Sequence, residues 1–206
     1  MAISQISFSD FKQYVQKSSS ILELGNQTFV NECILKFKTE LNEFNNLTPV
    51  KKYVESLGKT HVSIDITGLD GSLPFDLNNE KISDIGVFDL VTNFGTTEHI
   101  EPNQYEPFLH IHNLCKIGGI MLHEVPVKGG WDGHCKFYYD DNFFIELANE
   151  NNYEILEIKK NNYDVGDLIF VALQKKNNFF NSKKVILESR IHVSSIPINI
   201  PEYWKK

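Results

Sequence analysis

Histidine and glutamate side chains recur where the predicted elements of this chain end, and both residue types can move protons. Glu98 and His99 follow one predicted strand, and His123 and Glu124 lie late in the next. His134 comes shortly afterwards, in a loop with glycines at 129, 130 and 133. Imidazole titrates near neutral pH, so a histidine at such a position is a candidate general base towards a substrate hydroxyl group.

His134 is the first candidate for this base, and a solvated loop histidine is the alternative interpretation. His99 and His123 are the second candidates, although a strand histidine such as His123 is more often a packed core residue. The Glu98–His99 pair is also typical of a helix cap. The same residue types can form a metal site, but their ligands would come from separate loops without tight spacing. The sequence therefore favours a site without a metal.

The segment that organises the rest of the chain runs from Ile21 to Leu24, is apolar apart from Glu23, and stops at Gly25. A continuous apolar run bounded by glycine predicts a buried parallel strand. Glycine lets the backbone turn tightly at this point. A helix-compatible stretch follows from about Thr28, so strand, turn and helix together predict the ligand-binding corner of a doubly wound sheet.

Further strands alternate with helices along the chain. We predict strands at about 20–24, 61–66, 72–77, 87–93 and 120–127. We predict helices at about 8–17, 28–44, 48–57, 101–116 and 140–151. A hairpin of residues 153–160 and 167–174 follows. The predicted fold class is α/β, a Rossmann-like, doubly wound and mostly parallel sheet with an antiparallel terminal hairpin, in a single domain.

Composition limits the function classes. The chain has 206 residues with 20 Lys plus Arg against 27 Asp plus Glu, a net charge of −7 that disfavours a general nucleic-acid binder. No apolar run is long enough to span a bilayer, and the first twenty residues lack the apolar core of a signal peptide. Three widely spaced cysteines suit reduced thiols. We therefore expect a cytoplasmic protein without a membrane or nucleic-acid partner.

In this order of segments the chain resembles the class I S-adenosylmethionine-dependent methyltransferases over roughly residues 18–175. The resemblance rests on a set of strand ends and turns: Glu23-Leu24-Gly25, Asp65, Phe88 to Asn93, Glu98-His99, Gly118-Gly119-Ile120 and the closing hairpin. No single one of these motifs is specific, whereas the ordered set is moderately so.

The resemblance implies S-adenosylmethionine as cofactor and assigns residues to it. The implied cofactor-binding residues are Glu23, Gly25, Asn26, Gln27, Asp65, Asp76, Asn93 and Thr96. The turn at Gly25 would face the methionine part, Asp65 the ribose hydroxyls, Asp76 the adenine, and Asn93 to Thr96 the methyl-donor side. The family commonly has a glycine-rich turn here, whereas this chain has a single glycine. The side chains of Asn26 and Gln27 either supply polar contacts or narrow the pocket.

The predicted function is an S-adenosylmethionine-dependent methyltransferase that acts on a small polar molecule by O-methylation. A sugar or sugar-bearing metabolite is the preferred acceptor, because Trp131 in the glycine loop can stack on a ring, although it can equally hold a lid in place. The alternative is a non-catalytic binding or assembly module of the same fold. An RNA or protein methyltransferase is disfavoured by the acidic charge and by the lack of an N/D-P-P-Y/F motif.

Two nucleotide-binding classes lack their motifs. No G-x-G-x-x-G follows the first strand, which disfavours a nicotinamide dehydrogenase, and the chain lacks the GxxxxGK[ST] motif of P-loop enzymes.

The predicted methyltransferase-like domain covers residues 1–176. Residues 177–206 form a predicted extension that packs on the core or on a partner subunit, which allows a homodimer. Within it, Val185 to Val193 is predicted to be extended.

Overall fold

The structure of the chain, a computed structural model, describes residues 2–78, 82, 84–196 and 198. Its strands are β1 (Ala2–Ile3), β2 (Ser20–Leu24), β3 (Thr28–Phe29), β4 (Thr60–Ile64), β5 (Phe88–Phe94), β6 (Cys115–Pro126), β7 (Phe137–Tyr138), β8 (Glu154–Asn161), β9 (Leu168–Gln174) and β10 (His192–Val193). Its α-helices are α1 (Gln5–Lys17), α2 (Asn31–Lys36), α3 (Lys38–Leu41), α4 (Val50–Ser56), α5 (Tyr105–Leu114), α6 (Asp141–Asn151) and α7 (Lys184–Ser189). Short 3₁₀ helices lie at Leu69–Gly71 and Thr97–His99.

The main sheet has six strands within the described residues, in the order β4–β2–β5–β6–β9–β8. The pairs β2–β4, β2–β5 and β5–β6 are parallel, and β6–β9 and β8–β9 are antiparallel. From β2 the chain crosses to β4 on one side and then to β5 on the other. The predicted fold class, a mostly parallel sheet with an antiparallel terminal hairpin, is confirmed.

The central strands are apolar because both faces of the sheet are covered. Leu22 and Val91 point into a core formed with α5 and α6. Ile21 and Leu90, the preceding residues, point into a second core on the opposite face, formed with α1, α2 and α4. Since successive side chains alternate between the two faces of a strand, a strand between two cores has no position for exposed polar residues. Among the described residues, no helix has the length and apolarity that crossing a bilayer would require.

The predicted helix 28–44 is wrong in its first and middle parts. Thr28 and Phe29 form β3, which pairs in parallel with β1 at the other end of α1. Phe29 is held edge-on against Phe8 and Tyr53, with ring centroids 5.6 and 6.1 Å away. Aromatic packing of Phe29 therefore outweighs the helical sequence pattern directly after the turn. Further along, Phe37 separates α2 from α3, so the predicted helix is divided into two short ones.

Other boundaries also differ from prediction, among them the helix predicted at 101–116, which spans Tyr105–Leu114 and is followed directly by β6 at Cys115. The strand expected at 72–77 is reduced to a single parallel bridge between Ile64 and Leu73, after which the chain leaves the sheet. The helix predicted at about 48–57 is α4, with Pro49 at its N-cap position. The Thr48 hydroxyl donates a hydrogen bond of 3.2 Å to Asn45 Oδ1. The Thr48 hydroxyl therefore bonds within the preceding turn and does not cap α4.

The segment predicted to be extended, Val185 to Val193, is also corrected. Residues 184–189 form α7, and only His192 and Val193 are extended, pairing antiparallel with β7. Leu187 and Ile191 are buried in the core on the α5 and α6 side of the sheet. Residues 197 and 199–206 of the predicted extension lie outside the described residues. The part that is described packs on the chain itself.

Stability should therefore depend on one face of α7. We expect Leu187→Ala to lower the free energy of unfolding by about 2–4 kcal/mol, because a buried leucine loses its packing. The neighbouring Ile186 is 37% exposed, whereas Leu187 is 2% exposed. Ile186→Ala is therefore the matched control and should cost less than about 1 kcal/mol. Urea unfolding measures both, and equal effects would contradict the placement of α7.

Candidate functional site

A cavity of about 710 Å³ lies at the carboxyl ends of β2, β4 and β5. In open α/β sheets this is where ligands bind, beside the strand at which the order of the strands reverses. The volume falls within the roughly 300–1,000 Å³ that is typical of small-molecule sites. The lining residues are Gly25, Asn26, Gln27, Ile64, Asp65, Ile66, Thr67, Leu69, Phe75, Asp76, Leu77, Gly95, Thr96, His99, Ile100 and Glu101. Seven residues predicted from the sequence, Gly25, Asn26, Gln27, Asp65, Asp76, Thr96 and His99, meet here.

Gly25 forms the floor of the cavity in a conformation that only glycine adopts readily. Its φ is +81°, and its amide donates a 2.7 Å hydrogen bond to the carbonyl oxygen of Ile64 in the adjacent strand. A Cβ at this position would lie 2.7 Å from Gln27 Nε2 and 2.8 Å from Thr96 Oγ1. A side chain would therefore both strain the backbone and displace two lining residues.

Asp65 lies one residue beyond β4 and faces the same cavity. Its Oδ1 accepts hydrogen bonds from the Thr67 amide at 2.8 Å and from the Thr67 hydroxyl at 2.5 Å, and its Oδ2 accepts one from the Asn26 amide at 3.1 Å. Burial by itself would raise the pKa of Asp65, but these hydrogen bonds outweigh it and hold the pKa below the ordinary value. The carboxylate is thus ionised and fixed in direction.

The two polar residues after Gly25 have structural partners as well as a place in the cavity wall. The Asn26 side chain donates a 2.6 Å hydrogen bond to Asp70 Oδ2, which joins the turn after β2 to the loop after β4. Gln27 is buried, and its side chain lies over Gly25. Its Oε1 has no hydrogen-bond partner among the described residues. An unpaired buried acceptor at a cavity wall is a natural contact for a ligand donor.

Asp76 and Thr96 add further polar groups to the wall. Asp76 accepts a 2.9 Å hydrogen bond from the Asn78 amide, at the end where Phe75 and Leu77 provide apolar surface. The Thr96 hydroxyl donates to the carbonyl oxygen of Leu24 at 2.8 Å. Apolar side chains thus lie next to Asp76, and the part of the wall that carries Thr96, His99 and Glu101 is called the polar end of the cavity below.

Two predicted cofactor-binding residues, Glu23 and Asn93, do not line the cavity. Glu23 lies beneath the turn, where its Oε1 accepts a 2.6 Å hydrogen bond from the Gln27 amide and its Oε2 is 3.0 Å from His61 Nε2. Asn93 is fully buried at the end of β5, and its side chain bonds Thr97. Both support lining residues from behind.

His123 lies outside the cavity and is 1% exposed. Its ring stacks on Phe108 with centroids 5.5 Å apart, and the Asn93 side-chain amide lies 3.2 Å from its Nδ1. Burial lowers the pKa of His123 to about 3. The ring is therefore a neutral core imidazole that does not line the cavity.

His99 and His134 come together at the polar end of the site. His99 lines the cavity, whereas His134, in the loop between β6 and β7, packs behind it with ring centroids 4.9 Å apart. Burial lowers the pKa of His99 to about 3, and burial also lowers the pKa of His134. Glu98 is 1% exposed, and burial raises the pKa of its carboxyl to about 8.

Trp131 does not face the cavity as a stacking surface. Its ring packs against His134 and Tyr163, at centroid distances of 5.3 and 6.2 Å, and its Nε1 donates to the carbonyl oxygen of Gly166 at 3.0 Å. Of the two interpretations of this residue, the contacts match the one in which it holds the loop in place.

Sequence reasoning missed the role of the loop after β4. Thr67 and Leu69 line the cavity, and Asp70 holds Asn26. The spacing Asp65-x-Thr67 carried a usable signal, because an aspartate that accepts from the residue two positions on is the usual way to form an Asx turn. The apolar lining by Ile66 and Leu69 has no such signal, since exposed aliphatic residues are common in loops.

Comparison with known proteins gives a fold but no sequence relative. No protein-family model matches the chain, and no curated protein sequence matches it. Among solved structures, the 1,6-didemethyltoxoflavin-N1-methyltransferase of Burkholderia thailandensis, with bound 1,6-didemethyltoxoflavin and S-adenosylhomocysteine, superposes with a TM-score of 0.56. The identity is 11% over 82% of this chain and 76% of that one.

Two further structures are less similar. The N-methyltransferase NodS of Bradyrhizobium japonicum WM9, in complex with S-adenosylhomocysteine, gives a TM-score of 0.44 at 11% identity over 83% of this chain and 88% of that one. The O-methyltransferase from a trans-AT PKS multienzyme of Brevibacillus brevis gives a TM-score of 0.45 at 13% identity over 90% of this chain and 75% of that one. The first superposition, together with the sheet order, shows that this chain has the fold of the class I S-adenosylmethionine-dependent methyltransferases.

The buried state of His123 has a consequence for acid stability. The unfolded chain binds a proton at an ordinary histidine pKa of 6.5, whereas the folded chain binds it only near 3. The stabilisation from the neutral ring is thus complete above pH 6.5 and is lost as the pH falls towards 3. Wild type should lose about 2–3 kcal/mol more stability than His123→Phe between about pH 6.5 and 4.5. Urea unfolding across this range tests it, and parallel curves would disprove it.

Proposed function

We propose that this protein is an S-adenosylmethionine-dependent methyltransferase of a small polar molecule. The observation that carries the proposal is the junction of the Gly25 turn and the ionised carboxylate of Asp65 in one cavity at the carboxyl ends of β2 and β4. A tight turn without a side chain and a fixed carboxylate are the two features that an adenosine-bearing ligand needs at this place in such a fold. The similarity of the fold to methyltransferases is consistent with this activity but does not by itself assign it.

The residues present fit the cofactor, with one restriction. A carboxylate has about four acceptor positions, and Thr67 and Asn26 already use three of those of Asp65. One position remains among the described contacts, so Asp65 would accept one ribose hydroxyl rather than two. The apolar surface of Phe75 and Leu77 would take the adenine beside Asp76. The carboxylates of the wall suit the positive charge of the sulfonium.

The acceptor would enter from the polar end, where Thr96, His99 and Glu101 line the cavity. When bound, S-adenosylmethionine supplies an already reactive methyl group, so the chain has to position the acceptor and exclude water. An oxygen acceptor is our proposal, because imidazole side chains at this end can contact a hydroxyl group. A sugar or sugar-bearing metabolite is the first substrate class to screen, although Trp131 does not support it, since its ring packs within the loop.

The assignment of a general base remains a proposal in altered form. His134 was the first candidate, and its ring lies behind that of His99, which is the imidazole in the cavity wall. Both pKa values are lowered by burial, so each ring is neutral at pH 7 but is a weak acceptor of protons. The two histidines are therefore proposed to act together on the acceptor, with His99 making the contact.

A non-catalytic binding module is the second candidate function, and one observation favours it. The side chain of Gln27 fills the space above Gly25 that a glycine-rich turn would leave open. If that side chain does not move, the methionine part of the cofactor has less room. Binding of the cofactor separates the two candidates, because a module that has lost its cofactor would show none.

Calorimetry with S-adenosylmethionine and S-adenosylhomocysteine is the first test. We expect the wild-type protein to bind both, and Asp65→Ala to bind about 10- to 150-fold more weakly, the loss that corresponds to one hydrogen bond to a charged group. Asp164→Ala is the control, since Asp164 is an exposed carboxylate in the turn between β8 and β9. Unchanged affinity in a folded Asp65→Ala protein would remove Asp65 from the site.

Gly25→Val tests the turn itself. We expect it to abolish cofactor binding, because the new side chain would meet Gln27 and Thr96 in a backbone conformation that valine avoids. Gly58→Val is a matched control: Gly58 also has a positive φ, +72°, but nothing lies within 4 Å of its Cβ position. The control should lose stability and keep the cofactor. Wild-type binding by Gly25→Val would show that the cofactor does not use this turn.

A further inference from the structure

Three side chains that can bind metal meet at the polar end of the cavity. Glu98 and His99 are successive residues of the 3₁₀ helix Thr97–His99, and His134 approaches from the loop after β6. One ligand atom of each residue lies within 4.8 Å of the others. Ligands of one ion at bond lengths of 2.0–2.2 Å lie about 3–3.5 Å apart, so modest rotations of the side chains would complete the site.

The carboxyl group of Glu98 is the observation that points to a ligand. Its side chain is 1% exposed, and its Oε2 has no hydrogen-bond partner among the described residues. Its Oε1 is 3.7 Å from His99 Nε2, which is beyond hydrogen-bond distance. A buried carboxyl oxygen without a partner is destabilising, and native structures rarely keep one without a reason. A cation at this point would supply the missing interaction.

The backbone around these residues is fixed before any ligand binds. The Thr97 amide donates to Asn93 Oδ1 at 3.1 Å, and Gln104 Nε2 donates to the Thr97 carbonyl oxygen at 2.7 Å. The Lys136 amide donates to the Glu98 carbonyl oxygen at 3.2 Å, which ties the loop of His134 to the 3₁₀ helix. Ligands held on a rigid frame are the condition for a specific metal site.

We propose that Glu98, His99 and His134 bind one divalent transition-metal ion at the edge of the cavity. One carboxylate with two imidazoles suits ions such as Zn²⁺, Co²⁺, Fe²⁺ or Mn²⁺ better than Mg²⁺ or Ca²⁺, which prefer oxygen ligands throughout. Three protein ligands leave coordination positions open, as in sites where the ion also contacts a substrate. This replaces the expectation of a site without a metal.

The site also narrows the acceptor class, and this step rests on the proposed function. A hydroxyl group that coordinates the ion loses its proton to water more readily than a free hydroxyl group does. The resulting oxygen would form the O–CH₃ bond as the S–CH₃ bond breaks, and the electron pair of that bond would stay on sulfur. The acceptor would then be an alcohol or phenol that can coordinate through oxygen.

Metal binding is tested without cofactor or acceptor. The full chain is treated with a chelator, desalted and titrated with Zn²⁺ by calorimetry and with Co²⁺ by visible absorption. We expect one ion per chain in the wild-type protein. Glu98→Gln and His134→Ala should each weaken binding by about 100-fold or more. Loss of a residue that only hydrogen-bonds a metal ligand typically costs about 10–100-fold in affinity, and loss of the ligand itself should reach at least the upper end of that range. His110→Ala, on α5 outside the cluster, should bind as the wild type does.

Two results would overturn the site: a folded wild-type protein that binds neither ion at micromolar concentration, or binding that both Glu98→Gln and His134→Ala leave unchanged. Titration of the same metal-free protein with S-adenosylhomocysteine keeps this outcome separate from the proposed function. A protein that binds S-adenosylhomocysteine but no metal overturns the metal site alone. One that binds metal but no S-adenosylhomocysteine supports the metal site and overturns the proposed function.

Discussion

The cavity depends first on one buried carboxylate, that of Glu23. It accepts the amide hydrogen of Gln27 and pairs with His61, so it joins β2, the turn after it and β4. Both side chains are almost fully buried, and removal of one partner would leave a polar atom of the other without its hydrogen bond inside the protein, which is destabilising. The interaction fixes the Gly25 turn from below, which in turn fixes the floor of the cavity. An acid in the middle of an apolar strand is thus explained by the turn that it holds.

A second buried network fixes the other end of the site. Thr97 is its centre: the side chain of Asn93 bonds its amide and its hydroxyl, the side chain of Gln104 bonds its carbonyl oxygen, and the hydroxyl of Tyr139 lies 3.1 Å from its Oγ1. All four residues are buried. A fully satisfied polar network of this kind is rigid, because every alternative arrangement leaves a buried group unpaired. It therefore sets where Thr96 and His99 point.

The sequence was sufficient for the order of the main sheet and for several residues of the cavity wall, because both depend on local patterns. Buried strands between two cores are apolar throughout, and glycine or an acid at a strand end marks the ligand edge, which placed Gly25 and Asp65. Side-chain competition was not visible in the sequence. Phe29 packs between aromatic rings from distant segments, so a short strand forms where a helix was predicted to begin. Glu23, predicted to contact the cofactor, instead bonds the amide of the turn above it.

The part of the site around His99 was harder to predict because it is assembled from segments that are far apart in the chain. His99 and His134 are 35 positions apart in the chain, and two hydrogen bonds hold them in contact. One joins the Lys136 amide to the Glu98 carbonyl oxygen, and the other joins Trp131 Nε1 to the Gly166 carbonyl oxygen. No periodicity encodes such a contact. Under the proposed function the same division would hold: the strand ends would position the cofactor, whereas His99, with the ring of His134 packed against it, would contact the acceptor.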